Sequence, residues 1–438
     1  MKRLAFHALA YGGSAATQKG LGFLLFMWLA QSLSVPAYAT FGLLYALQAG
    51  VAALAGAGVS EAVIGLLKGR ASHEARASLF GSANSVFLLV ASATAAVAVV
   101  AGSRILGPAD ASGFALSSVI VAGVVTAFCA QQAQLVRLEE DHRASLVLSF
   151  FPPAAGLVGG FLGYLLGGSV SAFFLGSAVA LTACLLVVGV ARVGVYRFAR
   201  SRSDIVPILQ RLAPFVLVAV LGWLSGYGNT YLVQSNFDPI DVARFTFAYT
   251  ISSVMQLVAT SLNQVWSPRV FKLVHEATAS EVESRSRRFF LLQGVFLGAV
   301  GALVLTITPI ATRLGGEGMA AYVSLTDELF FLLAAYAFAI PWYHAQNYYF
   351  AHSKGKALMN VTIVTSIAGL LLWFLAVHLF GTLGVYIGFM LMMVARSLGT
   401  LYWARRLWAV GLPWEGPAVA LALLVAAMWL SRSASSFA

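Results

Sequence analysis

The stretch ALAYGGSAATQKGLGFLLFMWLAQSL, Ala8 to Leu33, decides how the chain is read: it is an apolar run with one fixed cation, Lys19, near its middle. At about 1.5 Å of rise per residue, a helical run of this length crosses a hydrocarbon core of about 30 Å. A lysine at that depth is costly and rarely idle. Lys19 either sits in a bend between Gly12-Gly13 and Gly20 or, with Gln18 beside it, faces a polar cavity and holds an anion. Its midplane position is too deep for easy snorkelling, which favours the cavity.

Composition carries the same class to the whole chain. The 438 residues are 60% hydrophobic and 10% charged, with a mean hydropathy of +0.85. Soluble globules are nearer one half apolar, so the expected fold is an all-α polytopic membrane protein. The formal charge of +11 resides at segment ends and not on one face, so it points to anionic lipid head groups and not to nucleic acid. Cys129 and Cys184 lie inside apolar runs and read as buried thiols, without a disulfide or metal role. No cofactor is implied.

Lys2-Arg3, the apolar run and Ala37-Tyr38-Ala39 imitate a secretory signal. The run is too long and carries Gln18 and Lys19, so an uncleaved first helix is expected. Twelve spans follow from hydropathy: Ala8 to Leu33, Ala37 to Leu67, Leu79 to Gly102, Gly113 to Leu135, Ser145 to Gly167, Val170 to Ala191, Pro207 to Gln234, Ile240 to Trp266, Phe289 to Thr308, Glu328 to Phe350, Ala357 to Phe380 and Gly384 to Tyr402. Pro417 to Leu430 is shorter and is a possible thirteenth.

Twenty-one of the 27 Lys and Arg fall on the N-terminal side of this alternation, and only Arg104, Arg244, Arg313 and Arg432 on the other; Lys19 and Arg396 are in spans. The positive-inside rule then makes the N-terminus cytoplasmic. Trp28, Trp266, Trp403, Trp408 and Trp414 sit near span ends as an interfacial belt.

An internal repeat organises the spans. Ala39-Thr-Phe41-Gly-Leu-Leu-Tyr45 matches Ala243-Arg-Phe245-Thr-Phe-Ala-Tyr249, and Ala130-Gln131-Gln132 matches Ala345-Gln346-Asn347. Six spans recur as six, which preserves orientation and predicts two pseudo-symmetric six-helix lobes around a central cavity. The expected divisions are 1–192, a basic cytoplasmic linker 193–206, 207–408 and an extra hydrophobic segment 409–438.

No loop is long enough for a catalytic domain, so no enzyme is expected. Gly56-Ala-Gly58 has no strand before it and reads as close helix packing, as do Gly156, Gly159, Gly160, Gly163 and Gly167 of span 5. Polar residues inside spans are more telling, because hydrocarbon offers them no partner. Trp223, Tyr227 and Tyr231 recur at one face of span 7 with Asn229 and Gln234 nearby. Gln256, Thr260, Asn263 and Ser267 form a face of span 8, and Tyr343, His344, Gln346 and Asn347 cluster on span 10. For each residue alone, interhelical hydrogen bonding is as good an account; as a set they suit sugar hydroxyls and ring faces. His344 and His378 read as structural.

Lys19-Gly-Leu-Gly22-Phe, the Pro36-x-Tyr38-Ala-x-Phe41-Gly42 turn and Phe380-Gly-Thr-Leu-Gly384-Val-Tyr resemble the polysaccharide-unit flippases (O-antigen, capsule and exopolysaccharide repeat units) of the multidrug/oligosaccharidyl-lipid/polysaccharide exporter superfamily. The resemblance implies a bacterial inner-membrane transporter in which two lobes rock around a cationic cavity that accepts a polyprenyl-pyrophosphate-linked oligosaccharide. It places Lys19 among the cavity cations; from the in-span polar residues themselves, Arg396 or Arg244 is expected to complete the anion site and Tyr227, Asn229, Tyr231, Gln234, Gln256, Asn263, Tyr343, Gln346 and Asn347 to contact sugar. Membrane lipids, a polysaccharide polymerase and chain-length proteins are the implied partners. The alternatives are a cation-coupled drug or metabolite antiporter of the same superfamily, which should carry a deep carboxylate, and a membrane polysaccharide polymerase or ligase, which should carry a large charged outer loop.

Overall fold

The computed structural model describes residues 17, 20–67, 72–105, 113–139, 141–190, 198, 201–352, 354–408, 410–411 and 414–436. Among them there is no strand. Ten helices are long and apolar enough to cross a membrane, and 316–322 with 326–351, bent by 62°, make an eleventh. The outer faces are apolar: Leu166, Val187, Leu292, Leu371 and Trp429 are between 66% and 89% exposed. A helical bundle with that surface is solvated by lipid, so the chain is a polytopic all-α membrane protein.

The helices in order are α1 (Gly20–Ser32), α2 (Val35–Ala55), α3 (Val59–Leu67), α4 (His73–Ile105), α5 (Gly113–Leu138), α6 (His142–Gly167), α7 (Val170–Val190), α8 (Arg202–Leu224), α9 (Asn229–Gln234), α10 (Pro239–Glu276), α11 (Ala279–Leu314), a 3₁₀ turn (Gly316–Tyr322), α12 (Thr326–Ala337), α13 (Ala339–Ala351), α14 (Gly355–Leu407) and α15 (Glu415–Ser436). Contacts group them into two compact units. One is Thr40–Leu232 with the chain up to Leu25, the other Phe26–Ala39 with the chain from Val233 onward. Residues 207–232, which the repeat assigns to the second half, thus pack with the first unit. The linker expected at 193–206 lies mostly outside the described residues.

In the first unit, α6 and α7 form a hairpin whose turn is Gly168, at φ +59°. The glycine spacing of span 5 is what closes it. A side chain at Gly160 would meet the Phe173 ring at 2.7 Å, one at Gly156 would meet Leu181 at 3.0 Å, and those at Gly159 and Gly163 would meet the backbone of Gly176. Without Cβ atoms the two backbones approach directly. Gly56-Ala-Gly58 does more than pack: it breaks span 2, with Gly58 at φ +74° and the Phe215 ring packed over it. The core beside that break is Val59, Val63, Leu79, Val86, Ile208 and Leu212, which ties α3, α4 and α8 together.

In the second unit, α14 is one 53-residue run interrupted at Gly381 (φ 58°, ψ −133°). Gly369 packs on Met392, Gly388 on Trp373 and Gly399 on Thr365, so the two arms run antiparallel and are the separate spans 11 and 12. The C-terminal segment, open in the sequence as a possible short thirteenth span, is a 22-residue helix, and Gly294, Gly298 and Gly301 of α11 let α15 pack closely through Gly416, Ala420 and Leu424.

Beyond the end of α13 and outside the membrane, His352 stacks on Trp408 at 4.7 Å. Burial, then His275 and Lys354, hold its imidazole below the ordinary value. The folded state therefore binds fewer protons than the unfolded chain, and this contribution is present above the usual imidazole range and lost as pH falls. The unfolding temperature in detergent is expected to fall from neutral to mildly acidic pH through this group. The variant His352→Phe, which retains the stack, should flatten that part of the profile; an identical profile would remove His352 as its source.

Candidate functional site

The polar residues expected to line a cavity are distributed over both units, and each unit uses them differently. In the first, span 7 is not one continuous helix: it breaks at residues 225–228 between α8 and α9. Trp223 and Tyr231 face the break from either side, 5.9 Å apart, and their polar ends are spent on α2. The Trp223 indole N–H donates to Ala46 O at 2.8 Å and the Tyr231 hydroxyl to Leu43 O at 2.7 Å. Tyr227 packs edge-on to Tyr45 at 5.4 Å. The expected single-face stripe is therefore corrected to a staple across a helix break. Asn229, at the first position of α9, is fully buried, and neither its Nδ2 nor its Oδ1 has a partner. Gln234 closes α9, half-buried.

In the second unit the predicted faces of spans 8 and 10 meet. Asn347 Nδ2 donates to Asn263 Oδ1 at 2.9 Å. Four residues earlier on α13, the Tyr343 hydroxyl lies 3.0 Å from Thr260 Oγ1. Thr260 gives its own proton to Gln256 O at 2.7 Å, so Tyr343 is the donor in that pair. Two rungs thus join α10 to α13. The side chain of Gln256 is exposed, and that of Gln346 half-buried.

Beside these rungs, the Arg396 guanidinium of α14 lies over the Trp342 ring, 4.1 Å from its centroid. Its Nε is buried without a partner, and among the described residues no acid pairs with it. A ring face attracts a cation but does not neutralise it. Arg396 is therefore a net positive charge well inside an apolar helix. Arg244 differs: it donates to Ser324 at 2.9 Å and pairs with Glu328 at 3.4 Å, so its charge is met by its own unit. Lys19 and Gln18 lie outside the described residues.

The repeat motif has matching uses. Gln131 and Gln132 both donate to Asn84 Oδ1, at 3.1 and 2.6 Å, as Asn347 does to Asn263. In each unit an amide from this position joins an amide of another helix. Sequence reading missed Asn84 and Trp342. Asn84 was detectable as a lone amide in span 3, whereas nothing local marks Trp342 as the neighbour of an arginine 54 residues away. Among the described residues no His, Cys, Asp and Glu cluster could hold a metal ion.

No family model and no curated protein sequence matches the chain. Solved structures do. A MurJ lipid II flippase in an inward closed conformation aligns over 96% of this chain and 92% of its own at TM-score 0.72 and 12% identity. An inward-facing multidrug resistance MATE family transporter of the MOP superfamily aligns over 89% and 94% at 0.69 and 17% identity. A Vibrio cholerae MATE transporter, VcmN, aligns over 93% and 96% at 0.61 and 13% identity. At these identities the likeness is one of fold: the chain has the fold shared by MATE transporters and the MurJ flippase.

Proposed function

We propose that the chain moves polyprenyl-pyrophosphate-linked oligosaccharide repeat units across the bacterial inner membrane for surface polysaccharide assembly, by alternating access and without covalent chemistry. The observation that carries this reading is Arg396, an uncompensated cation inside the bilayer beside the amide and aromatic rungs of α10 and α13. A fixed positive charge at that depth suits a diphosphate, and would be a poor feature for a carrier of cationic drugs. The coarse fold, shared with a lipid II flippase, is compatible with a lipid-linked substrate. In this reading Lys19 and Arg396 hold the diphosphate, Asn229, Gln256 and Gln346 supply amides to sugar hydroxyls, and the tail stays in lipid. Arg244, tied to Glu328, is left out of the anion site. The N-terminus is cytoplasmic, the two six-span halves act as the moving lobes, and a polymerase and chain-length proteins act downstream.

The test is transfer of a fluorescent polyprenyl-pyrophosphate oligosaccharide in proteoliposomes, run beside ion-gradient-driven ethidium export. Lipid transfer above empty vesicles supports the flippase; ethidium export without it selects the antiporter. In a deletion strain, Lys19→Ala is expected to abolish surface polysaccharide with the protein still inserted, and Lys19→Arg to retain part. Full complementation by Lys19→Ala ends the anion role of that residue.

A further inference from the structure

Apart from the α10–α13 rungs, the second unit holds a cavity of about 550 Å³ lined by Glu283, Ser286, Arg287, His344, Arg405 and Glu415, with Phe290 in its wall. This volume lies in the range of small-ligand sites, ~300–1,000 Å³. One wall is a single face of α11, where Glu283, Ser286, Arg287 and Phe290 recur at helical spacing. The opposite walls come from α13, the end of α14 and the start of α15.

The polar groups of this cavity are incompletely paired. Arg287 and Glu415 form an ion pair, yet Glu415 Oε2 has no partner. Ser286 and His344 are 2% and 3% exposed, and Ser286 Oγ and His344 Nδ1 have no partner either. Neither Glu283 nor Arg405 makes an ion pair among the described residues. The accessible charges on its walls without an ion pair are of both signs, the Glu283 carboxylate on α11 and the Arg405 guanidinium on α14, both exposed. Their complement has two parts: a cation with N–H donors for Glu283, and an anion for Arg405.

We propose that this cavity binds a zwitterionic phosphate ester of the phosphoethanolamine type, its ammonium against Glu283 and its phosphate against Arg405. A choline ester has the charges but no N–H to donate to the carboxylate. A glycerol ester has the anion alone and would face Glu283 uncompensated. The level of the cavity favours a lipid head group over a free ester. It lies where α11 passes from its charged first turns, Glu281 to Arg288, into the apolar run from Phe289, which is head-group depth. The inference rests on the membrane fold and is independent of what the chain transports.

The full-length protein in phosphatidylcholine nanodiscs is supplemented with phosphatidylethanolamine or phosphatidylglycerol, and lipid retention is read by native mass spectrometry beside thermal unfolding. Phosphatidylethanolamine is expected to be retained selectively and to raise the unfolding temperature. Glu283→Gln should weaken its preference over phosphatidylcholine about tenfold, as expected for one charged hydrogen bond, and Arg405→Gln should lower retention of both. Arg405→Lys, which preserves charge, should keep part of it. Soluble phosphoethanolamine is added to detergent-purified protein in parallel: stabilisation there assigns the site to a free ester, and stabilisation only in the nanodisc assigns it to the lipid. Equal retention of the three lipids with no effect of the soluble ester overturns the proposal. So does an ethanolamine preference that persists in monodisperse Glu283→Gln and Arg405→Gln.

Discussion

Replacing Arg396 by leucine is expected to leave the protein inserted and folded but, if the proposed substrate is the one carried, to slow transfer of a pyrophosphate-linked sugar at least tenfold. The argument is electrostatic. At an effective dielectric near 20, two unit charges 4 Å apart attract by about 4 kcal/mol, and each ~1.4 kcal/mol is a factor of ten. Arg396 has no competing acid among the described residues, so that attraction is open to a ligand. Leucine keeps an apolar body against Trp342, which separates charge from packing. If Arg396 served only to cover that ring, Arg396→Leu would transport normally, and the anion reading of the second unit would fail. The lysine variant keeps the charge but not the planar stacking, and should fall between the two. The unfolding temperature serves as the control, because a cation over an aromatic ring contributes only ~0.5–2 kcal/mol by itself.

The second large effect is structural. A single methyl at Gly159 would meet the Gly176 carbonyl at 2.5 Å and press on Ala180. Both obstacles belong to the facing helix, and a backbone carbonyl cannot rotate away. Overpacking of this kind costs ~1–3 kcal/mol where side chains can relax, so Gly159→Ala should lie at or above the upper end and lower the yield of monodisperse protein. Gly222→Ala is the internal control. It is also a helical glycine, but nothing lies within 4 Å of its added carbon. Its expected effect is neutral or stabilising by up to ~1 kcal/mol, from helix propensity. Comparable losses for the two variants would mean that the α6–α7 hairpin is not closed by glycine contact.

How much of this was legible beforehand differs from residue to residue. The spacing of Gly156, Gly159, Gly160 and Gly163 predicted close packing, and α7 is the partner, because consecutive spans with a short turn at Gly168 have nowhere else to meet. The faces of spans 8 and 10 were legible as faces, and Thr260, Asn263, Tyr343 and Asn347 do join. The face of span 7 was not, because periodicity assumes an unbroken helix. Residues 225–228 leave the helix while Trp223 and Tyr231 bond α2 instead.

Class and the antiparallel folding of spans 11 and 12 follow from the sequence alone, because a bilayer penalises every polar atom and hydrophobic length translates directly into crossings. The positions of the in-span charges along their helices follow from it as well. Only the tertiary structure decided which of those charges are met. Arg244, near the start of α10, finds Glu328, whereas Arg396, inside α14, meets only the face of Trp342. Neutralisation depends on what lies within a few ångströms in space, and neighbours 84 and 54 residues away leave no mark on the local pattern.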